Sequence, residues 1–283
     1  MKASVFFIVY FLAASILAAL IAFPLFQLVG TDIFKFERWV TRSALLLLIL
    51  GLIPCLKYFN LSFKTIGFNE AFFTFLRNLS RGFVFGLVIL GAVVIALLFL
   101  DIRTLSSPFD LTVKLLLKAL LSGIVVALLE ETLFRGFFFK LTERWHNAFT
   151  AIFVSSFFYA ILHFIKPIAH IDANNLSFLS GFEVIFNAFS SLSELFADDF
   201  FALYAVGIFL ALVRIKTNSL STCIGLHASW VFLIKITKEL SDENNQSTFA
   251  WLTGQYDGVI GILACGWLLL LSVLISTNKT SKT

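Results

Sequence analysis

No charged residue interrupts the sequence between Lys2 and Asp32, nor between Arg81 and Asp101. A helix that crosses a bilayer needs about 20 mostly apolar residues, so runs of this kind decide the class of fold before any motif is considered. Eight apolar runs are found, at roughly 4–28, 43–59, 82–100, 112–139, 148–165, 200–214, 219–236 and 258–276. The second is interrupted by Pro54 and the sixth is barely long enough to cross. The first follows Lys2 as a signal peptide would, but it is about twice the length of a signal h-region and lacks a small-x-small cleavage site, so it reads as a retained helix.

Hydrophobic residues make up 59% of the 283 and charged residues 13%, with 36 phenylalanines. Soluble domains are about half apolar and a quarter charged, so this excess is too large to hide inside one core, and lipid must solvate it. The same figures exclude disordered and collagen-like chains, and a net charge of +4 is too small for a nucleic-acid partner. Cys55, Cys223 and Cys265 lie inside apolar runs without CxxC spacing and read as small hydrophobes rather than a disulfide or zinc framework. The expected architecture is all-α: a polytopic membrane protein of about eight helices, with residues 1–283 forming a single integral-membrane domain.

Eight spans put both termini on one side. That side collects Lys2, Lys57, Lys64, Arg77, Arg81, Lys140, Arg144, Arg214, Lys216, Lys279 and Lys282, and the other collects acids such as Asp32, Asp101, Asp110, Asp172, Asp199, Asp242 and Asp257. By the positive-inside bias both termini are cytoplasmic, in the plasma membrane if the chain is prokaryotic. The stretches 178–196 and 68–80 alternate apolar and polar residues at helical spacing and are expected to lie along the interface.

Ionisable residues inside the apolar runs are costly, so they are the informative positions. The fourth run carries Glu130, Glu131 and Arg135. On a helix Glu131 and Arg135 are i,i+4 neighbours, whereas Glu130 is turned about 100 degrees away and is a poorer partner for the arginine. A carboxylate in an apolar setting is a stronger base than one in water, which suits Glu130 to take a proton from water. The fifth run carries His163, with Tyr159 one turn earlier, and the seventh carries His227; His146 and His170 fall in loops. At 1.5 Å per residue, Glu130, His163 and His227 sit about 12–25 Å below the cytoplasmic helix ends, deep enough to meet near mid-membrane. Each histidine alone is more often an interhelical link, and Glu131 with Arg135 a structural pair. Two acids, an arginine and two histidines in three runs favour a functional site.

These residues resemble the motifs of the CPBP family, the intramembrane proteases that include CAAX prenyl endopeptidases and bacteriocin-processing relatives. EETLFR at 130–135 matches EExxxR, Tyr159 to His163 matches FxxxH, and NSLSTCIGLH supplies the third motif histidine, His227. The motifs occur in the family's order, and the resemblance covers about 110–236. It implies that Glu130 with His163 activates a water, that His227 stabilises the oxyanion, and that Glu131, Arg135 and Tyr159 support them. It leaves two cofactor states open, none or zinc, because HExxH is absent while one Glu and two His would make an open three-ligand site for Glu130, His163 and His227. Two departures stand out: Tyr159 replaces the usual Phe, and Val231 occupies the position where many members carry Asn, so Ser229 or a backbone N–H would have to supply an oxyanion donor.

The expected function is therefore an intramembrane endopeptidase acting on a membrane-associated protein or peptide, with membrane lipid as its surroundings. The rival reading is a non-catalytic scaffold or regulator of a membrane partner with the same fold. A proton-coupled transporter ranks third, because no repeated halves are found.

Overall fold

The computed structural model describes residues 2–29, 35–107, 110–171 and 175–277. Asp32, Asp172, Lys279 and Lys282, which entered the charge asymmetry, lie outside these residues. The described residues form two compact units, Met1–Leu61 with Ile161–Leu195, and Ser62–Ala160 with Phe196–Thr283.

In the first unit, α1 (Lys2–Val29) packs against α2 (Phe36–Tyr58), and α8 (Ser180–Ser190) covers α1. Alanines make the contact: Ala18, Ala19 and Ala22 are buried along one face of α1, and Gly181 of α8 lies so close to Ala19 that an added methyl would overlap its carbonyl. Phe36, Val40 and Val184 complete this core, with Phe26 edge-on to Phe36 at 5.5 Å between ring centroids. Glu37 is buried in the first turn of α2. Its Oε1 accepts from the Ile171 N–H at 2.8 Å and lies 3.3 Å from His170 Nδ1, which ties down the chain after α7. Within 178–196, expected to be an amphipathic surface segment, α8 buries Ser180, Gly181, Val184 and Ala188 and leaves Phe186 exposed.

The second unit is built around α10 (Ser221–Leu240), which packs against α4 (Phe72–Phe99) and α5 (Val113–Glu131). Lipid removes the hydrophobic drive between helices, so close backbone approach must hold them together, and small residues permit it. Gly82 and Gly86 of α4 meet the Thr222 and Leu226 backbone, Gly225 of α10 meets Leu79 and Phe83, and Gly123 of α5 meets Ala228. The indoles of Trp230 and Trp267 donate to the carbonyls of Gly86 and Ile89 at 3.1 and 3.0 Å, so their buried N–H groups are satisfied by α4. A methyl at Gly225 has no room, whereas Gly91 of α4 faces open space. Gly225→Ala is therefore expected to lower stability by about 1–3 kcal/mol, and Gly91→Ala to leave it unchanged or raised, in denaturant unfolding of the purified protein.

α7 (Ala148–His163) contributes to this unit up to Ala160, α9 (Ala197–Thr217) packs its Gly207 onto Ser156 of α7, and α11 (Ile262–Thr277) packs on α9 and α4. The short α3 (Phe63–Ile66), capped by Ser62, leads into α4. A two-stranded antiparallel ribbon, β1 (Arg103–Leu105) with β2 (Ser241–Glu243), joins the ends of α4 and α10 and is a small departure from an all-helical chain.

Each of the eight apolar runs falls on a helix, and among the described residues four helices, α1, α2, α4 and α9, are long and apolar enough to cross a membrane. α2 and α9 belong to this group although their apolar runs are short, because their helices extend into polar turns such as Phe36–Thr41 and Ala197–Asp199. The stretch 68–80 contains the start of α4, which begins well before the apolar run at 82.

Candidate active site

The EETLFR motif sits where the fourth apolar helix changes winding. α5 ends at Glu131, residues Thr132–Phe138 form a π-helix, and α6 (Phe139–Trp145) continues the same rod. Such π-turns are uncommon and concentrate at functional sites. Every residue of Thr132–Phe138 is buried.

Glu131 and Arg135 are both fully buried, with Arg135 Nη1 3.2 Å from Glu131 Oε1, so the expected ion pair is present. Arg135 is held on two further sides: Nη2 donates to the Gly207 carbonyl at 3.3 Å, and its guanidinium lies 4.1 Å over the Tyr159 ring. Tyr159 is buried, edge-on to Phe134 and to His227 at 5.5 and 5.9 Å between centroids. In this unit its ring forms a platform under the arginine.

Glu131 has a second partner that sequence spacing does not suggest. His227 Nδ1 lies 2.9 Å from Glu131 Oε1. With the carboxylate ionised against Arg135, Nδ1 carries the hydrogen and donates it, which fixes the ring and turns Nε2 the other way. Nε2 then lies 3.9 Å from Glu130 Oε2. One imidazole thus stands between two carboxylates: Glu131, fully buried and bound to arginine, and Glu130, partly exposed at 26%. The division of labour expected from the helical wheel, Glu131 to arginine and Glu130 away from it, is the one observed.

Glu130, Glu131, Arg135, Tyr159 and His227 are brought together in the second unit. His163, the last residue of α7, belongs to the first unit, and the set defined by the second unit does not include it. Val231, one turn beyond His227, carries no side-chain donor, and Ser229 Oγ donates to the Leu226 carbonyl of its own helix at 2.7 Å. Among the described residues no three His, Cys, Asp or Glu side chains are grouped to hold a metal ion. The zinc set of Glu130, His163 and His227 is therefore not supported by these side chains, and no step is derived through a metal.

A tyrosine absent from the motif reading also bears on Glu130. Burial, and the charges of Glu130, Asp257 and Asp199, push the Tyr256 phenol above its usual range, so it remains an O–H group. Nothing in QYDG at 255–258 singles this tyrosine out; the segment before α11 is held by Asp199, which accepts from the Gln255 and Tyr256 N–H groups.

Comparison with protein-family models matches the segment that carries all of these motif residues. Residues 112–233 match the type II CAAX prenyl endopeptidase Rce1-like family. The CPBP resemblance drawn from three short motifs is thereby shown over this segment. The Rce1-like segment runs from the cap of α5 through Val231 and ends short of Tyr256. Its family is one of membrane-embedded peptidases, and with the apolar helices it identifies an integral membrane protein. Comparison with curated proteins and with solved structures finds no match.

Proposed function

We propose that this protein is a multi-pass intramembrane endopeptidase that hydrolyses a peptide bond of a membrane-associated protein or peptide, using Glu130 as the base. The observation that carries this reading is the order Arg135–Glu131–His227–Glu130, in which a buried ion pair orients an imidazole toward a second, partly exposed carboxylate. Glu130 takes a proton from water as the water oxygen attacks the scissile carbonyl. His227, when protonated on both nitrogens, donates Nδ1–H to Glu131 and Nε2–H to the oxyanion. Glu130 then returns the proton to the leaving nitrogen. Eight spans with both termini cytoplasmic, and a single domain whose catalytic core is 110–236, complete the proposal. The name of the matched family makes a prenylated CAAX protein the first substrate class to try.

The test is cleavage of membrane-inserted peptides, prenylated and unprenylated, by purified protein in lipid discs. Products read by mass spectrometry are expected with wild type, in the presence of a strong chelator as well as without it. Loss of products on chelation would return a metal to the site. The scaffold reading, favoured by the absence of a donor at Val231, expects no products and a biological effect that survives both Glu130→Ala and His227→Ala.

A further inference from the structure

α5 and α10 run antiparallel along one seam, and two side-chain contacts fix its register. Glu130 Oε2 lies 3.9 Å from His227 Nε2, and the ammonium of Lys235 donates to Ser122 Oγ. Ser122 precedes Glu130 by eight residues and Lys235 follows His227 by eight, so the second contact lies about 12 Å along the seam from the first. The helices touch through buried Gly123, Ala127 and Ala228, with no room for a Cβ between Gly123 and the Ala228 carbonyl. Ser122, Val126 and Glu130 on α5, and Val231 and Lys235 on α10, are only partly covered. A partly exposed strip therefore runs from the carboxylate of the site to the lysine.

The lysine end of this strip carries cations without counter-ions. Lys118 lies one helical turn from Ser122 and Lys114 one turn further, both exposed. Among the described residues no carboxylate pairs with Lys114, Lys118 or Lys235, and Glu239, one turn beyond Lys235, makes no ion pair with it. A lysine in an apolar helix usually extends its head toward the nearer interface. Lys235 instead reaches across the seam to a hydroxyl nine residues past Val113, about 13 Å from the start of α5. An ammonium at that depth is costly until an anion meets it. Ser122 Oγ accepts from Lys235 and donates to no protein group among the described residues, so its proton is available to the same anion. We propose that Lys235, with Lys118 and Ser122, forms a subsite for a carboxylate of the substrate polypeptide, three or four residues after the scissile bond. The inference rests on the endopeptidase reading of Glu130. An extended chain advances about 3.3–3.6 Å per residue, so the 12 Å from Glu130 to Lys235 is the reach of three or four residues. A C-terminal carboxylate and an Asp or Glu side chain both present the two oxygens that an ammonium and a hydroxyl can bind. A phospholipid phosphate belongs at headgroup level, whereas Lys235 is held along the seam at the depth of Ser122.

The test uses the full-length protein in lipid discs and a fluorescent Leu/Ala peptide in three forms: the C-terminal acid, its amide, and the amide with one Asp placed several residues before the end. Binding to Glu130→Gln, which holds the peptide uncut, is read by fluorescence anisotropy. The acid and the Asp form are expected to bind about tenfold more tightly than the plain amide, and preference for one of them alone names the source of the carboxylate. Adding Lys235→Met should bring the three forms within about twofold of one another, Lys235→Arg should keep the preference, and Lys118→Met, at an exposed position, should weaken it about threefold. Equal binding of the three forms, or a preference that survives Lys235→Met, overturns the subsite whether or not any peptide is cut. Loss of co-purifying anionic phospholipid in Lys235→Met, with peptide binding unchanged, overturns it in favour of a lipid headgroup. Cleavage by the protein with Glu130 intact is expected three or four residues before the carboxylate and to move with it between the acid and the Asp form, and Lys235→Met should raise KM about tenfold with kcat within about twofold. A cut that ignores the position of the carboxylate overturns the subsite while leaving the endopeptidase reading intact. If none of the peptides is cut, that reading falls, and the binding preference alone decides the carboxylate subsite.

Discussion

Glu130→Gln is expected to reduce peptide hydrolysis by about 10³-fold, the usual contribution of a positioned general base, while the protein remains folded. The substitution keeps the shape of the side chain and removes only its ability to accept a proton. Folding should tolerate it because the buried ion pair of this region is made by Glu131 and Arg135, whereas Glu130 is partly exposed and faces His227 Nε2 at 3.9 Å. Thermal unfolding of the variant should overlay that of wild type, and single-turnover cleavage should separate the chemical step from peptide binding. Retention of more than about a tenth of wild-type kcat would remove Glu130 from the chemistry.

Arg135→Met is expected to do the opposite, destabilising the protein by about 3–5 kcal/mol, because it leaves the Glu131 carboxylate buried without its cation. Both partners are fully buried, so water cannot compensate for the loss. The double variant Glu131→Gln/Arg135→Met removes both charges and should recover most of that stability, since replacing a buried pair by neutral groups of similar size is often close to neutral. Its activity should stay low, because His227 Nδ1 then faces an amide instead of a carboxylate and the ring loses its fixed orientation. Denaturant unfolding of wild type, Glu131→Gln, Arg135→Met and the double variant gives the coupling directly. A single variant as stable as the double would mean that the carboxylate was never dependent on Arg135.

Much of the helical layout was legible because a membrane imposes a length and an apolarity that no other environment asks for, and each apolar run does fall on a helix. The runs misjudged the starts of α2 and α4, where polar turns such as those around Glu37 and Asn78 extend the helices past the apolar segment. Within the site, EETLFR announced Glu131 with Arg135 because i,i+4 spacing is a property of the helix itself. It did not announce the π-turn that begins at Thr132, since that winding depends on the neighbours packed around it.

By itself the sequence determined that the chain is a membrane helical protein, that Glu131 pairs with Arg135, and that Glu130 is turned from that pair, because these follow from local periodicity and the cost of charge in lipid. Only the tertiary structure decided that His227 stands between the two glutamates and that Tyr159 lies under the guanidinium. Those contacts join residues far apart in the chain, and they arise from glycine-mediated helix packing.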